Sequence, residues 1–455
     1  MFKFMEHQKE SIKFLNNNTS VFDMSDPGTG KTAVQIADVA ATTKKEKHCT
    51  LIFAPKSLLR CAWDNDFKKV APTITRSIAT ATNREKAFAA KADVYITNHD
   101  AAVALAKKPL SFWKKFSGGT LIIDESSAFK HRTSARSKAM IAISKHFKRV
   151  RLMSGTPNTN GICDIWHQVY LLDYGRRLGS SVFGFRSSVC APVQVGPMPN
   201  MVKWDDKPNA ETAVASLIQD IVIRHRFEDC TDIPKNHQYP VSFYLNSKHA
   251  TIYKKLELDS LLTLSNTEIT AINGAALYTK LLQVASGAVY ADSGAYALID
   301  SDRYELILDL VEARKHSIVF FNWQHQRDEL IKNAEKRGLK YALIDGTVTK
   351  KNARENIVEA YQSGWYDVLF AHPQSAGHGL TLTKGTATIW ASPTPNLEHY
   401  LQGLKRIHRI GQTEKTETIM VVAPGTLEEQ VYESLLNKDV KMTNLLTLLK
   451  LKKAA

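Results

Sequence analysis

Cysteine is scarce in this 455-residue chain, and acidic residues are outnumbered. The five cysteines, Cys49, Cys61, Cys163, Cys190 and Cys230, are scattered without C-x-x-C spacing. That argues against a zinc knuckle and against a disulfide framework, and fits reduced thiols. Long apolar runs are missing too: no window approaches the roughly eighteen uncharged residues of a membrane span, and Met1-Phe2-Lys3-Phe4-Met5-Glu6-His7 lacks the apolar core of a signal peptide. The expectation is a soluble, cytoplasmic protein that does not engage a membrane. Asp plus Glu number 45 against 60 Lys plus Arg, leaving a net charge of +15, which suits a polyanionic partner without naming it. The length predicts about two to three domains.

What is present begins with Ser25-Asp26-Pro27-Gly28-Thr29-Gly30-Lys31-Thr32, set between the strand-like run Thr19 to Met24 and the helix-like Ala33-Val34-Gln35-Ile36-Ala37. Strand, glycine-bearing turn and helix start make a phosphate cradle, because small residues let backbone N–H groups crowd round anionic oxygens and the helix N-terminus adds positive dipole. In such a loop Gly28, Thr29 and Gly30 wrap the phosphates. Lys31 reaches the β/γ-phosphates of ATP, and the Thr32 hydroxyl ligates Mg²⁺. Ser25 stands where the usual motif has its first glycine. Upstream, Phe4 to Leu15 predicts an amphipathic helix on which the Gln8 amide could read an adenine edge with one donor and one acceptor.

Buried-strand runs then recur. Cys49–Ala54 leads into Lys56, Ser57 and Arg60 at the start of an expected helix. Asp93–Asn98 delivers Thr97 and Asn98, and Thr120–Ile123 ends in Asp124 and Glu125. Two acids at the tip of an apolar strand, in one sheet with a phosphate loop, are what nucleotide hydrolysis requires: one to hold Mg²⁺ and one to orient water. Val150–Met153 runs into Ser154-Gly155-Thr156-Pro157. From about Leu171 to Pro240 the periodicity weakens, and Pro192, Pro197, Pro199 and Pro208 predict a loop-rich insertion at about 171–215. A second αβ series starts near Asp302, without a phosphate loop of its own. It ends in Gln402-Gly403-Leu404-Lys405-Arg406-Ile407-His408-Arg409-Ile410-Gly411-Gln412, where the spacing places Arg406 and Arg409 on one helix face. Arginine suits the task of serving another lobe's nucleotide, since its fork can hold phosphate oxygens bidentately.

This ordered set resembles the motor of helicase superfamily two, and Arg406-Ile407-His408-Arg409-Ile410-Gly411-Gln412 resembles the last motif of its Swi/Snf-type DNA translocases. The likeness runs from about Phe4 to Glu433. It departs at Ser126-Ser127, where the family has Ala-His, and at His378 and Thr381, where Val and Asn are common. It implies an α/β fold of two tandem RecA-like, doubly wound parallel-sheet lobes: residues 1–240 as the ATP-binding lobe, 241–300 as a helical connector and 301–455 as the second lobe. It further implies a nucleic-acid-dependent ATPase with Lys31, Asp124, Glu125, Arg406 and Arg409 as catalytic residues. Thr32 and Asp124 would hold Mg²⁺, and Gln402 would join the ATP site. Lys56, Ser57, Arg60, Thr97, Trp323, Gln324, His378 and Thr381 would grip nucleic acid. Double-stranded DNA is the expected partner ahead of RNA, in a bacterial or phage-infected cytoplasm. A strand-separating helicase and a motor subunit of a restriction or repair complex stay open as alternatives.

Overall fold

The structure is a computed structural model that describes residues 2–46, 48–194, 201–266, 271–348, 353–376 and 380–449. Two compact units divide the chain, one of Met1–Asp232 with Lys438–Ala455 and one of Ile233–Asn437.

The first unit opens with helix α1 (Glu6–Asn17), strand β1 (Ser20–Asp23) and helix α2 (Lys31–Glu46), followed by β2 (Thr50–Ala54), β3 (Arg76–Ala79), β4 (Val94–Asn98), β5 (Thr120–Asp124) and β6 (Arg149–Met153). A hairpin of β7 (Cys190–Gln194) and β8 (Val202–Asp206) and the short β9 (Val222–Ile223) complete it. All residues of β2 and β5 are buried, as expected of central strands covered on both faces. The seven-stranded order is β3-β4-β2-β5-β6-β1-β9, and every pairing is parallel. Carboxyl ends therefore share one edge, where open α/β sheets bind ligands. Because β5, β6 and β1 are neighbours, the loops that follow them meet there.

The second unit carries β10 (Asn236–Ser242), a hairpin of β11 (Ala288–Tyr290) and β12 (Tyr296–Leu298), then β13 (Ser317–Phe320), β14 (Tyr341–Ile344), β15 (Val368–Ala371), β16 (Ala387–Trp390) and β17 (Thr416–Val422). Its six-stranded parallel sheet has the order β10-β17-β16-β13-β15-β14. β13, β15 and β16 are buried throughout. Pro240 sits in β10, an edge strand, where a missing N–H is tolerated. Two parallel sheets flanked by helices are the fold class that the sequence implies. Among the described helices none is long and apolar enough to cross a membrane.

One local expectation is corrected, and two details are added. Residues 171–215 are not mainly loop: a helix at Val182–Val189, the β7/β8 hairpin and a helix at Ala210–Ile218 occupy this stretch, with Pro192 inside the two-stranded hairpin and Pro197 and Pro199 outside the described residues. The segment after Lys56 opens as a π-helix at Leu59–Asp64 before an α-helix at Asn65–Val70. Strand β3, half-buried along most of its length, has no apolar run to announce it.

Candidate active site

The phosphate loop is held from two sides. From α1, the buried Gln8 amide donates to Thr29 O at 3.2 Å, the His7 ring bonds the same carbonyl at 2.9 Å, and Gln8 Oε1 accepts from Met5 N. Gly28 and Gly30 turn the loop with φ of 93° and 83°, and a Cβ on Gly30 would lie 2.3 Å from Gln8 Nε2. On the other side the chain after β9 runs along the loop. Arg224 Nη1 donates to Asp26 Oδ1 at 2.7 Å and to Met24 O at 3.0 Å, His225 N donates to Ser25 Oγ at 3.1 Å, and Phe227 N donates to Asp26 Oδ2 at 2.9 Å. Ser25, the departure from the usual glycine, is therefore a clasp point.

Arg224 is buried and Asp26 is partly exposed. Removing one partner of a buried ion pair costs about 3–5 kcal/mol, and the exposure of Asp26 puts this pair at the low end of that range. Arg224→Ala is expected to lower the urea midpoint accordingly and to raise KM for ATP, because the loop loses its outer clasp. Unchanged unfolding together with unchanged KM would show the clasp to be idle.

Lys31 opens α2, and its ammonium donates to Ser25 O at 2.6 Å and Asp26 O at 3.1 Å. Thr32 follows on the same first turn, half-buried. Across β6, the register places Asp23 and Asp124 on either side of Met153. Asp124 Oδ2 accepts from Trp63 Nε1 at 2.9 Å and Oδ1 accepts from Glu125 N at 3.1 Å. Burial pushes its carboxyl up, and the Trp63 N–H, the Lys31 charge and the Glu125 N–H oppose that shift. Glu125 itself sits at φ 50°, ψ 59°, a left-handed conformation that costs a non-glycine residue roughly 1–2 kcal/mol. Strain of this kind persists where the surroundings dictate a side chain's direction.

Ser154 N donates to Asp23 O, and a Cβ on Gly155 would lie 2.6 Å from Pro27 Cδ, so the loop after β6 touches the phosphate loop directly. Gln168 ties the acid-bearing loop to the same region: Ser126 Oγ donates to its Oε1 at 2.8 Å, and its Nε2 donates to Pro157 O at 2.7 Å. Beyond that point Lys130 pairs with Asp164 at 2.9 Å. Sequence reading missed Trp63, Gln168 and Arg224 as site residues. Their partners lie far along the chain, and no local spacing signals them.

His99 supports Asp124 from behind, with its ring 2.7 Å from Asp124 O. Burial holds this histidine neutral and lowers its pKa to about 4 from 6.5. Between those values the unfolded chain binds the proton and the folded chain does not. The stabilisation is therefore complete above pH 6.5 and is lost as pH falls toward 4, amounting to about 3 kcal/mol at 1.36 kcal/mol per pKa unit. Thermal midpoints measured at pH 7 and pH 5 are expected to fall more for the wild type than for His99→Gln. Equal falls would contradict this.

In the second unit Gln402 lies buried on the helix Leu397–Leu404, its amide donating to Glu398 Oε1 at 3.3 Å. The expectation of one helix face for Arg406 and Arg409 is corrected here: the helix ends at Leu404 and both arginines occupy the turns that follow. They converge all the same. Arg406 Nη1 and Arg409 Nη1 both donate to Leu380 O, at 3.2 and 3.1 Å, and Arg406 Nε donates to Gln402 O. The Gln412 amide donates to Thr383 O and Gly385 O, at 3.0 Å each, and so holds the turn in place.

Of the residues expected to grip nucleic acid, Lys56, Ser57 and Arg60 are exposed after β2, at the carboxyl edge of the first sheet. Thr97 does not join them. It is fully buried and its hydroxyl donates to Ala79 O on β3, so that expectation is withdrawn. In the second unit Gln324 and Thr381 are exposed and Trp323 is half-buried, whereas His378 lies outside the described residues.

A glycine-bearing loop at a helix start, on the same sheet edge as two acids one strand away across β6, defines a P-loop nucleoside triphosphatase. The SNF2-related domain matches residues 7–286 and the helicase conserved C-terminal domain matches residues 302–411. The chain belongs to the SNF2-related family and is a Swi/Snf-type ATPase of the helicase class. It is similar to putative protein p41 of Acyrthosiphon pisum secondary endosymbiont phage 1, 27% identical over 89% of this chain and 90% of that protein. It is also similar to an uncharacterized ATP-dependent helicase of Mycoplasma genitalium, 24% identical over 94% of this chain but only 40% of that protein. Among solved structures, a Sulfolobus solfataricus SWI2/SNF2 ATPase core in complex with dsDNA aligns over 99% of this chain and 95% of that one, with 20% identity and a TM-score of 0.46.

Proposed function

We propose that the chain is an ATP-driven translocase that moves along or remodels double-stranded DNA in replication, recombination or repair. The observation that carries this reading is a division of labour. The first unit gathers Lys31, Thr32, Asp124 and Glu125 at one sheet edge, and the second, with no phosphate loop among its described residues, directs two arginines at one carbonyl.

In this mechanism Lys31 exchanges the carbonyls of Ser25 and Asp26 for the β/γ-phosphates of ATP. The Thr32 hydroxyl and the Asp124 carboxylate are hard oxygen donors that suit Mg²⁺, which supplies charge neutralisation on the phosphates. Glu125, fixed by its left-handed backbone, orients the attacking water, and Gln8 reads the adenine edge while Gln402 borders the site. Arg406 and Arg409 stabilise the charge that develops in the transition state. Lys56, Ser57 and Arg60 in one unit, and Trp323, Gln324 and Thr381 in the other, contact the nucleic-acid backbone. Such contacts bring affinity without sequence preference and weaken steeply with salt.

The test is ATP turnover with duplex DNA, single-stranded DNA and RNA side by side. Duplex DNA is expected to stimulate most. Stimulation by RNA alone would overturn the assignment, and the absence of any stimulation would favour a motor subunit that requires a partner.

A further inference from the structure

The insertion builds a surface that the ATP chemistry leaves unused. Helix Val182–Val189 and strand β8 set Phe183, Arg186 and Trp204 together, and Arg132 joins them from the loop that follows Asp124 and Glu125. The Arg186 guanidinium lies 4.2 Å from the centre of the Trp204 ring and 5.4 Å from that of Phe183, and the Arg132 guanidinium lies 5.2 Å from Phe183. The Phe183 side is open to solvent, with the residue 58% exposed.

Four acids of the surrounding segments are engaged elsewhere: Asp164 by Lys130, Asp173 by Arg177, Asp205 by Lys203 and Asp206 by Lys441. Among the described residues, Arg132 and Arg186 thus have rings for neighbours rather than carboxylates. An arginine stacked on a ring uses the face of its guanidinium and keeps its in-plane N–H donors for an anion. Two such forks beside an exposed aromatic ring match the way in which a strand's phosphates and bases are held. An acidic protein segment could meet the forks but would leave the exposed ring without a stacking partner. The patch also begins in the loop after β5, on the sheet edge that presents Lys56 and Arg60.

We propose that Arg132, Phe183 and Arg186 form a second nucleic-acid contact of the first unit, with the guanidiniums on phosphates and the Phe183 ring against a base or sugar. The proposal rests on the reading of the chain as a nucleic-acid motor, and the experiment separates the two. Binding of labelled duplex and single-stranded DNA is measured across a salt series for the full chain, for the double variant Arg132→Gln/Arg186→Gln and for Phe183→Ala. The double variant is expected to bind duplex about tenfold more weakly and to lower the slope of log K against log salt by about one to two, close to 0.9 for each phosphate no longer neutralised. Phe183→Ala, at an exposed position that spares the fold, is expected to weaken single-strand binding about fivefold or more. Thermal midpoints of the same samples identify any variant that has lost its fold. Wild-type affinity and slope in both variants would overturn this inference alone and hand the patch to a protein partner. Failure of the wild-type chain to bind either DNA would bring down the motor reading, and this inference with it.

Discussion

Lys31→Ala is expected to reduce ATP turnover by at least about 10²–10³-fold, the scale of losing one preorganised donor to developing charge. The lysine makes only two hydrogen bonds to its own loop, to the carbonyls of Ser25 and Asp26. The loop meanwhile keeps its clasp through Arg224, His225 and Phe227 and its brace through His7 and Gln8. Folding should therefore survive and chemistry should not. A purified, folded Lys31→Ala chain with wild-type turnover would mean that the phosphate site lies elsewhere.

Arg409→Ala is the second large effect. A finger arginine contributes about 10³–10⁵ to the rate of phosphoryl transfer, so turnover should fall within that range while ATP affinity stays within a few-fold of wild type. Arg409 separates these effects better than Arg406. Arg406 is buried and bonds both Gln402 O and Leu380 O, so its loss also disturbs the turn, whereas Arg409 is half-buried. ATP binding measured directly, beside single-turnover hydrolysis, checks the prediction. Loss of both together would make Arg409 a ground-state ligand or a structural residue.

Much of the site could be read from the sequence because its carriers are buried strands that end in chemistry. Thr120–Ile123 is an apolar run that stops at two acids, and the phosphate loop is bracketed by a strand and a helix start. Where reading failed, the cause was a partner distant in the chain. Thr97 looked available because the edge strand β3 was not foreseen, and it is β3, through Ala79 O, that takes its hydroxyl. Arg76 and Ser77 in that strand are half-buried and carry no alternation to betray it. The helical spacing of Arg406 and Arg409 misled for a related reason. Gln412 holds the turn to Thr383 O and Gly385 O, and both arginines reach one carbonyl by a route that periodicity does not encode. The clasp of Arg224 on Asp26 joins residues that follow two strands, β9 and β1, which are neighbours only once they pair. The hairpin of the insertion is hidden in the sequence by the prolines of that stretch, of which Pro192 lies inside β7, where a two-stranded ribbon tolerates it.

The central proposal is that Arg406 and Arg409 act on the ATP bound by the Lys31 loop. Energy transfer between one fluorophore on each unit, followed through ATP binding, hydrolysis and product release with duplex DNA present, tests it most directly. The expected result is a rise in transfer with Mg²⁺ and a non-hydrolysable ATP analogue, a return with ADP, and a rise that is lost or much weakened in Arg409→Ala. Transfer that ignores the nucleotide while the wild-type chain still turns over ATP would contradict it.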